Sequence, residues 1–157
     1  MPSSVLIVDD EPGLRELVRR WLAGPDSFLL EASSAEDAMC VLADTRAVAV
    51  ALVDLQMPGH GGAWLVEQMQ RSFPAVAIVL ATADPAVPGT ISLQRSVIGY
   101  LVKPLDRDQV VQLVAAGLAW HQQKANPAAH GSDTDPVDAF LDSKLTRGRG
   151  RGGRRDR

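Results

Sequence analysis

The chain has 157 residues, with 16 lysines and arginines, 19 aspartates and glutamates, and a formal net charge of −3. This length fits one ordinary domain with a short extension, and an apolar content of 46% excludes a wholly disordered chain. The charge is uneven, because residues 147–157 carry six arginines and one aspartate, which leaves −8 on the rest of the chain. An acidic body of this kind excludes a uniformly basic nucleic-acid-binding domain.

The cysteine, histidine and apolar content exclude several further classes. Cys40 is the single cysteine of the sequence, which excludes an intrachain disulfide and a cysteine-based zinc site, and the three histidines lack metal-ligand spacing. The longest apolar runs, such as Ala75 to Ala83, are too short to span a membrane, and the N-terminus lacks the features of a signal peptide. We therefore expect a cytoplasmic protein that does not insert into a membrane.

Five short apolar runs predict the strands of a sheet. None of them alternates strictly between apolar and polar residues, which indicates burial on both faces, as in a parallel sheet. The runs are Val5–Val8, Phe28–Leu30, Val48–Val53, Val76–Ala81 and Val97–Val102.

Helical patterns separate the first four runs. The first pattern follows Pro12, which suits the first turn of a helix, and repeats apolar residues with helical spacing from Leu14 onward. Ser33 and Glu36 predict a capping box at the start of the second helix. The apolar face of the third helix is formed by Leu65, Val66, Met69 and Phe73.

The connection between the fourth and fifth runs differs from the segment that follows the fifth run. Residues 84–96 contain two prolines and a glycine near their start, which predicts a long loop followed by a short or late-starting helix. Asp106 and Gln109 predict an N-cap for a final helix with a clear apolar face. The βα pattern thus repeats five times, which predicts an α/β fold in which a parallel sheet lies between two layers of helices. Ligands of such sheets bind at the carboxyl ends of the strands.

Polar side chains at the ends of four runs are the candidate site residues. Asp9 and Asp10 follow the first run, Asp54 the third, Thr82 the fourth and Lys103 the fifth. Each one alone fits an ordinary strand end that meets solvent, but their joint placement at one sheet edge indicates a site. Three neighbouring carboxylates repel one another unless a hard divalent cation such as Mg²⁺ lies among them. With Lys103 and Mg²⁺ included, the formal charge of the pocket is zero, so the pocket can receive a phosphoryl group.

The segments that carry these residues read VLIVDDEPGLRELV, LVDLQMPGHGG, LATAD and GYLVKP in chain order. Over roughly residues 4–122 the chain resembles the receiver domain of two-component response regulators, of the chemotaxis-regulator type. The resemblance implies a flavodoxin-like (βα)5 three-layer sandwich with a five-stranded parallel sheet in the order 2-1-3-4-5. It also implies a receiver domain over residues 1–123.

The resemblance implies a role for each residue at the metal site. Asp54 is expected to be the phosphoacceptor and a metal ligand. Asp10 is expected to coordinate Mg²⁺ (or Mn²⁺) directly, and Asp9 mainly through water. The backbone carbonyl of Gln56 is expected to supply a further metal ligand.

The resemblance also implies how the phosphorylated state is recognised. Lys103 is expected to pair with phosphoryl oxygens, and the Lys103–Pro104 bond is expected to be cis. Thr82 is expected to turn its hydroxyl to the phosphoryl group and Tyr100 to swing inward behind it. Two plainer interpretations stay open, in which Thr82 is an ordinary β-branched strand residue and Tyr100 a half-buried strand aromatic.

Residues 124–157 are predicted to be a linker, a short helix over 136–145 and an Arg/Gly-rich disordered tail. The short helix either docks on a partner or stays solvated, since isolated helices of this length are marginal in water. The tail, 147–157, is a candidate for weak contacts with nucleic acid. About 35 residues after the last helix are too few for a usual DNA-binding module, so we expect a stand-alone receiver.

The expected function is phosphorelay signalling. The chain would accept a phosphoryl group on Asp54 from a sensor histidine kinase or a histidine phosphotransfer protein, in a Mg²⁺-dependent reaction. It would signal through phosphorylation-dependent contacts with a downstream protein, as a monomer or a phosphorylation-dependent dimer. It would not be a turnover enzyme, because it would catalyse only its own phosphoryl transfer and dephosphorylation.

Two other functions are weighed against this one. A nucleic-acid-binding regulator could act through the tail. A haloacid-dehalogenase-like phosphatase also uses an aspartate nucleophile after a strand, but it needs a second aspartate two positions later, where this chain has Gln56. A dinucleotide-binding fold is disfavoured, since no G-x-G-x-x-G segment follows the first run.

Overall fold

A computed structural model of the chain describes residues 2–86 and 95–126. The stretch predicted to hold a short helix before the last strand falls largely on residues 87–94, outside this range. The predicted helix over 136–145 and the Arg/Gly tail also lie outside the described residues.

Five parallel strands form one sheet in the order β2-β1-β3-β4-β5, as predicted. The strands are β1 Ser4–Val8, β2 Phe28–Ala32, β3 Val48–Asp54, β4 Ala77–Thr82 and β5 Val97–Val102. The largest difference from the prediction is in β2, which continues past Leu30 because Glu31 pairs with Ile7. The Glu31 carboxylate forms ion pairs with Arg15 and Arg19 of the helix that precedes β2, so a charged residue is tolerated in the strand.

The described helices are α1 Pro12–Leu22, α2 Ala35–Asp44, α3 Gly61–Ser72 and α4 Arg107–Ala125. Apolar residues of α2 and α3 pack on one face of the sheet, against strand residues such as Leu6 and Val53. Those of α1 and α4 pack on the other face, against residues such as Ile7 and Leu52. Burial of both faces explains why the central strands β1, β3 and β4 read as continuous apolar runs. Within the described part of the chain, no helix is both long and apolar enough to cross a membrane.

The helix N-termini follow the predicted caps with one exception. Pro12 lies in the first turn of α1, and the Asp106 side chain accepts a hydrogen bond from the backbone N–H of Gln109, as predicted. The predicted cap of α2 is wrong by one residue, because Ser34 rather than Ser33 accepts from the Asp37 N–H, at 3.1 Å. Ser33 instead donates its backbone N–H to the Asp37 carboxylate. Two adjacent serines have the same capping chemistry, and only the backbone path selects between them.

The strand register places the predicted site residues at one edge. Val8, the residue before Asp9, pairs with Val53, the residue before Asp54. Asp54 pairs with Ala81, and Thr82 pairs with Val102, the residue before Lys103. The carboxyl ends of the three central strands and of β5 therefore lie side by side.

Candidate functional site

Lys103 bridges the two buried aspartates at this sheet edge. Its Nζ lies 3.2 Å from Asp9 Oδ2 and 3.2 Å from Asp54 Oδ2. Asp9 is 5% exposed and Asp54 is 2% exposed, whereas the Lys103 side chain is 20% exposed. The bond from Lys103 to Pro104 is cis, as expected. One partly exposed ammonium group thus faces two carboxylates that water scarcely reaches.

The backbone holds the second oxygen of each buried carboxylate. Asp9 Oδ1 accepts from the Glu11 N–H at 2.9 Å, and Asp54 Oδ1 accepts from the Gln56 N–H at 3.0 Å. In both cases the donor lies two residues after the aspartate, in the loop that leaves the strand. The two carboxylates are therefore oriented alike, with one oxygen fixed by the chain and the other directed to Lys103.

Asp10 adds an exposed third carboxylate. One oxygen from each of Asp9, Asp10 and Asp54 can be chosen so that all three lie within 4.8 Å of one another. Carboxylate oxygens around a partly hydrated position are the donors that Mg²⁺ prefers. The three carboxylates and Lys103 sum to a formal charge of −2, so the donor set fits a hard divalent cation in both chemistry and charge.

Burial and charge act against each other on the two central groups. Desolvation by burial, together with the charge of Asp9, raises the pKa of the Asp54 carboxyl, although the Gln56 N–H and Lys103 oppose the increase. Burial lowers the pKa of Lys103, but Asp54 and Asp9 outweigh it, so the pKa of Lys103 is raised. The ammonium group of Lys103 therefore stays charged at neutral pH, while burial and the charge of Asp9 oppose ionisation of Asp54.

Thr82 and Tyr100 occupy different environments. Thr82 is buried, and its hydroxyl oxygen accepts from Gln56 Nε2 at 2.9 Å and from the Asp84 N–H at 3.0 Å. Tyr100 is 51% exposed on β5, so about half of this residue is open to solvent. The structure thus brings Thr82 into the site with the three aspartates and Lys103, and leaves the Tyr100 ring at the surface.

The model of the response regulator receiver domain family matches residues 5–115. The chain belongs to this family. The match includes each aspartate of the site, Thr82 and Lys103. The sequence-based resemblance is therefore confirmed, and the chain is a receiver domain of the kind found in two-component response regulators.

The chain is similar in sequence to curated response regulators and transcriptional regulators. It is 28% identical to the DNA-binding transcriptional regulator NtrC of Salmonella typhimurium over 137 residues, which cover 85% of this chain and 29% of NtrC. It is 30% identical to the response regulator GacA of Pseudomonas protegens, over 90% of this chain and 71% of GacA. The chain thus spans less than a third of the length of NtrC.

Solved receiver structures have the same fold. The response regulator TrrA of Thermotoga maritima, in complex with Mg²⁺ and BeF, has a TM-score of 0.66 and 25% identity, and the match covers 74% of this chain and 99% of TrrA. A CheY-like receiver domain from Methanospirillum hungatei has a TM-score of 0.72 and 18% identity, over 79% and 99% of the two chains. The expected flavodoxin-like fold is confirmed by these neighbours together with the strand order.

A glycine-rich loop seats α3 of the receiver domain against the end of β3. Gly59 and Gly61 have φ angles of 82° and 72°, which residues other than glycine rarely adopt. A Cβ atom on Gly62 would lie 2.6 Å from Leu55 Cα and would overlap the carbonyl oxygen of Asp54. The start of α3 can therefore approach the strand end only because position 62 has no side chain.

The side chain of Gln56 is a site residue that was not predicted. Only its backbone carbonyl was assigned a role, yet its carboxamide spans from Thr82 to the backbone N–H of Ala83. The register of β3 with β4 explains this contact, because Asp54 pairs with Ala81 and the residues two positions further along are Gln56 and Ala83.

Arg15 of α1 was also missed. Its Nη1 donates to the backbone carbonyl of Asp9 at 2.6 Å, and its Nε lies 3.5 Å from Glu31 Oε1 on β2. Arg15 thus links the strand end that carries Asp9 to the neighbouring strand. A basic residue in the first turns of the helix after an aspartate pair is the only sequence signal for this contact.

Proposed function

We propose that this receiver domain accepts a phosphoryl group on Asp54 from a phosphohistidine, carried by a sensor histidine kinase or a histidine phosphotransfer protein. The observation that carries the proposal is the position of the Asp54 carboxylate. It lies at a strand end, 3.2 Å from the Lys103 ammonium group and within metal-ligand reach of Asp9 and Asp10. Phosphoryl transfer depends mainly on such positioning and charge neutralisation.

The transfer is a nucleophilic displacement at phosphorus. A carboxylate oxygen of Asp54 attacks, a P–O bond forms, and the P–N bond to the donor imidazole breaks. The bonding electrons return to the imidazole nitrogen, which takes up a proton, and the product is an aspartyl phosphate. Lys103 pairs with an oxygen of the incoming group and offsets its negative charge. Hydrolysis of the acyl phosphate by water would return Asp54 to its carboxylate form.

Asp9, Asp10, Asp54 and the backbone carbonyl of Gln56 are the residues proposed to hold Mg²⁺ or Mn²⁺. When bound, the cation supplies positive charge to the phosphoryl oxygens. Asp10 is exposed and suited to bind it directly. Both oxygens of Asp9 already accept hydrogen bonds, from Glu11 and Lys103, which favours contact through water.

Phosphorylation is proposed to be read out through Thr82 and Tyr100. The Thr82 hydroxyl turns to a phosphoryl oxygen, and the Tyr100 ring moves inward from its exposed position. The altered surface of β5 and α4 then contacts a downstream protein, or a second copy of the chain in a phosphorylation-dependent dimer.

Labelling with acetyl phosphate and Mg²⁺ tests the assignment of Asp54. The wild-type chain should gain one acid-stable, base-labile phosphoryl group per molecule, and Asp54→Asn should gain none. Asp26→Asn, which changes an exposed loop aspartate, is the matched control and should label like the wild type. Equal labelling of Asp54→Asn and the wild type would contradict the proposal.

The basic tail supports a second candidate function. Residues 147–157 carry a formal charge of +5, which suits contacts with nucleic-acid phosphates. Deleting them should weaken binding to RNA or DNA, and the loss should be greater at low salt than at high salt. Unchanged binding after the deletion, or no binding by the full chain, removes this candidate.

A further inference from the structure

The carboxamide of Gln56 joins the loop after β3 to the loop after β4. Its Oε1 accepts from the Ala83 N–H at 2.8 Å, and its Nε2 donates to Thr82 Oγ1 at 2.9 Å. Because a backbone N–H can only donate, the Ala83 contact determines which end of the amide faces which partner. A single side chain therefore occupies two neighbouring polar groups at the edge of the site.

These contacts use the full hydrogen-bonding capacity of the Thr82 hydroxyl. Its oxygen accepts from Gln56 Nε2 and from the Asp84 N–H, and its proton is directed to the Asp84 carbonyl at 3.3 Å. A hydroxyl group has one donor and two acceptor positions, so all three are taken. Thr82 cannot donate to another group without giving up part of this arrangement.

A phosphoryl oxygen on Asp54 would compete with Gln56 for the Ala83 N–H. It is only an acceptor, so it requires donors such as the Thr82 O–H and the Ala83 N–H. The Oε1 atom of Gln56 is an acceptor on that same N–H, and the two oxygens therefore compete for one donor. The competition is between a neutral amide oxygen and a charged oxygen, which forms the stronger hydrogen bond.

We propose that the Gln56 side chain is a latch that holds the unphosphorylated arrangement of the β4 loop. Its Oε1 takes the place of an acceptor oxygen at Ala83, and its Nε2 keeps the Thr82 hydroxyl engaged until a phosphoryl group on Asp54 displaces both contacts. The proposal rests on the proposed function, since that phosphoryl group is the competitor. Gln56 is then a positioning residue that controls how easily the loop after β4 rearranges when Asp54 is phosphorylated.

The latch has a direct consequence for the unliganded protein. In Gln56→Ala the Ala83 N–H loses its acceptor, and its hydrogen exchange should be about ten-fold faster than in the wild type. Gln112→Ala removes an exposed glutamine from α4 and is the matched control, with unchanged exchange at Ala83. Gln56→Asn keeps an amide that is one methylene too short to span both partners, so it should resemble Gln56→Ala.

Binding of beryllofluoride with Mg²⁺ tests the competition itself. We expect Gln56→Ala to reach half-saturation, followed by the amide resonances of Thr82 and Ala83, at an about five-fold lower beryllofluoride concentration, which is the size of one net hydrogen bond. The backbone carbonyl of residue 56 is kept in this variant. Faster exchange with tighter binding supports the latch, and unchanged or weaker binding overturns it.

The proposed function and the latch fail in different ways. A wild-type chain without any response to beryllofluoride contradicts the proposed function, and the latch falls with it. A wild-type response that Asp54→Asn abolishes but Gln56→Ala does not strengthen overturns the latch alone. Unchanged hydrogen exchange at Ala83 in Gln56→Ala also overturns the latch, whatever the result with beryllofluoride.

Discussion

The two ends of the sheet bury polar side chains of opposite character. At the amino ends of the strands, the buried polar residues are the neutral Ser4 and Ser96, and the Ser96 hydroxyl donates to the Pro74 carbonyl at 3.1 Å. At the carboxyl ends they are Asp9, Asp54 and Thr82. A buried neutral hydroxyl needs one partner, whereas a buried carboxylate also needs compensation of its charge. Burial of two carboxylates at the carboxyl ends therefore has a desolvation cost that stability alone does not explain.

Removing the ammonium group should break this contrast most strongly. Lys103→Met leaves Asp9 and Asp54 without the charge that compensates them, and loss of one partner of a buried ion pair costs about 3 kcal/mol. We expect a matching fall in the free energy of unfolding, measured in urea without metal, together with loss of labelling by acetyl phosphate. Arg107→Met, on the exposed start of α4, should change neither quantity appreciably. A stable Lys103→Met chain would show that the carboxylates are compensated from elsewhere.

Filling the space between α3 and the end of β3 should have the next largest effect. Gly62→Ala places a methyl group against the backbone of Asp54 and Leu55, and forced overpacking of this kind costs about 2 kcal/mol. Gly13→Ala is the matched control, since a Cβ atom there meets nothing within 4 Å and alanine favours the helix. Urea unfolding should show Gly62→Ala destabilised and Gly13→Ala equal to or above the wild type. Equal stability of the two variants would contradict the close approach.

Neutralising Asp54 should raise the stability of the metal-free protein. The pKa of Asp54 is raised in the folded state, chiefly by burial, so its favourable contribution exists below the unfolded-state pKa and is lost as the pH rises through the folded-state pKa. Asp54→Asn avoids that loss, and its melting temperature in EDTA at pH 7 should exceed that of the wild type by a few degrees.

The pH and metal dependence provide the control for Asp54→Asn. The difference in melting temperature should disappear when the pH falls below the ordinary aspartate range, because the wild-type carboxyl is then protonated in both states. Added Mg²⁺ should stabilise the wild type more than the variant. A wild-type chain that is more stable than Asp54→Asn in EDTA at pH 7 would show that Lys103 outweighs burial.

Removing a neutral hydroxyl at the other end of the sheet should have the smallest effect. Ser96→Ala loses the hydrogen bond to the Pro74 carbonyl. Because Pro74 is exposed, water can replace the hydroxyl, and the free energy of unfolding should fall by about 0.5 kcal/mol. Labelling of Asp54 and stabilisation by Mg²⁺ should be unchanged. If either property changed, the two ends of the sheet would not be independent.

Most of the fold could be predicted because burial leaves a direct mark on the sequence. A strand covered on both faces must be apolar throughout, so the run at Val48 predicted β3 to within one residue. The run at Val97 predicted the bounds of β5 as well, although this edge strand is only partly buried. The end of β2 could not be predicted in this way, because Glu31 stays in the strand only through its contacts with Arg15 and Arg19 of α1. Both arginines lie in a helix, so nothing in the sequence around Glu31 indicates these contacts.

The residues of the candidate site also fall into a group that could be predicted and a group that could not. Asp9, Asp54, Thr82 and Lys103 could be selected because each stands at the end of an apolar run, and parallel strands bring such ends together. The role of the Gln56 side chain could not, because its partners lie 26 and 27 residues away, in the loop after the adjacent strand. Its residue type permits many contacts, and the register of β3 with β4 selects one.

The class of this protein could be read from its sequence: an α/β receiver domain with an acidic site at the carboxyl ends of the strands. The apolar segments and their connections predict a parallel sheet between helices, and the resemblance to receiver domains adds the strand order. Three features required the folded structure: one ammonium group lies 3.2 Å from two buried carboxylates, the pKa of Asp54 is raised, and Gln56 spans two loops. Distances and desolvation depend on how distant segments pack, and neither is encoded in the neighbours of a residue along the chain.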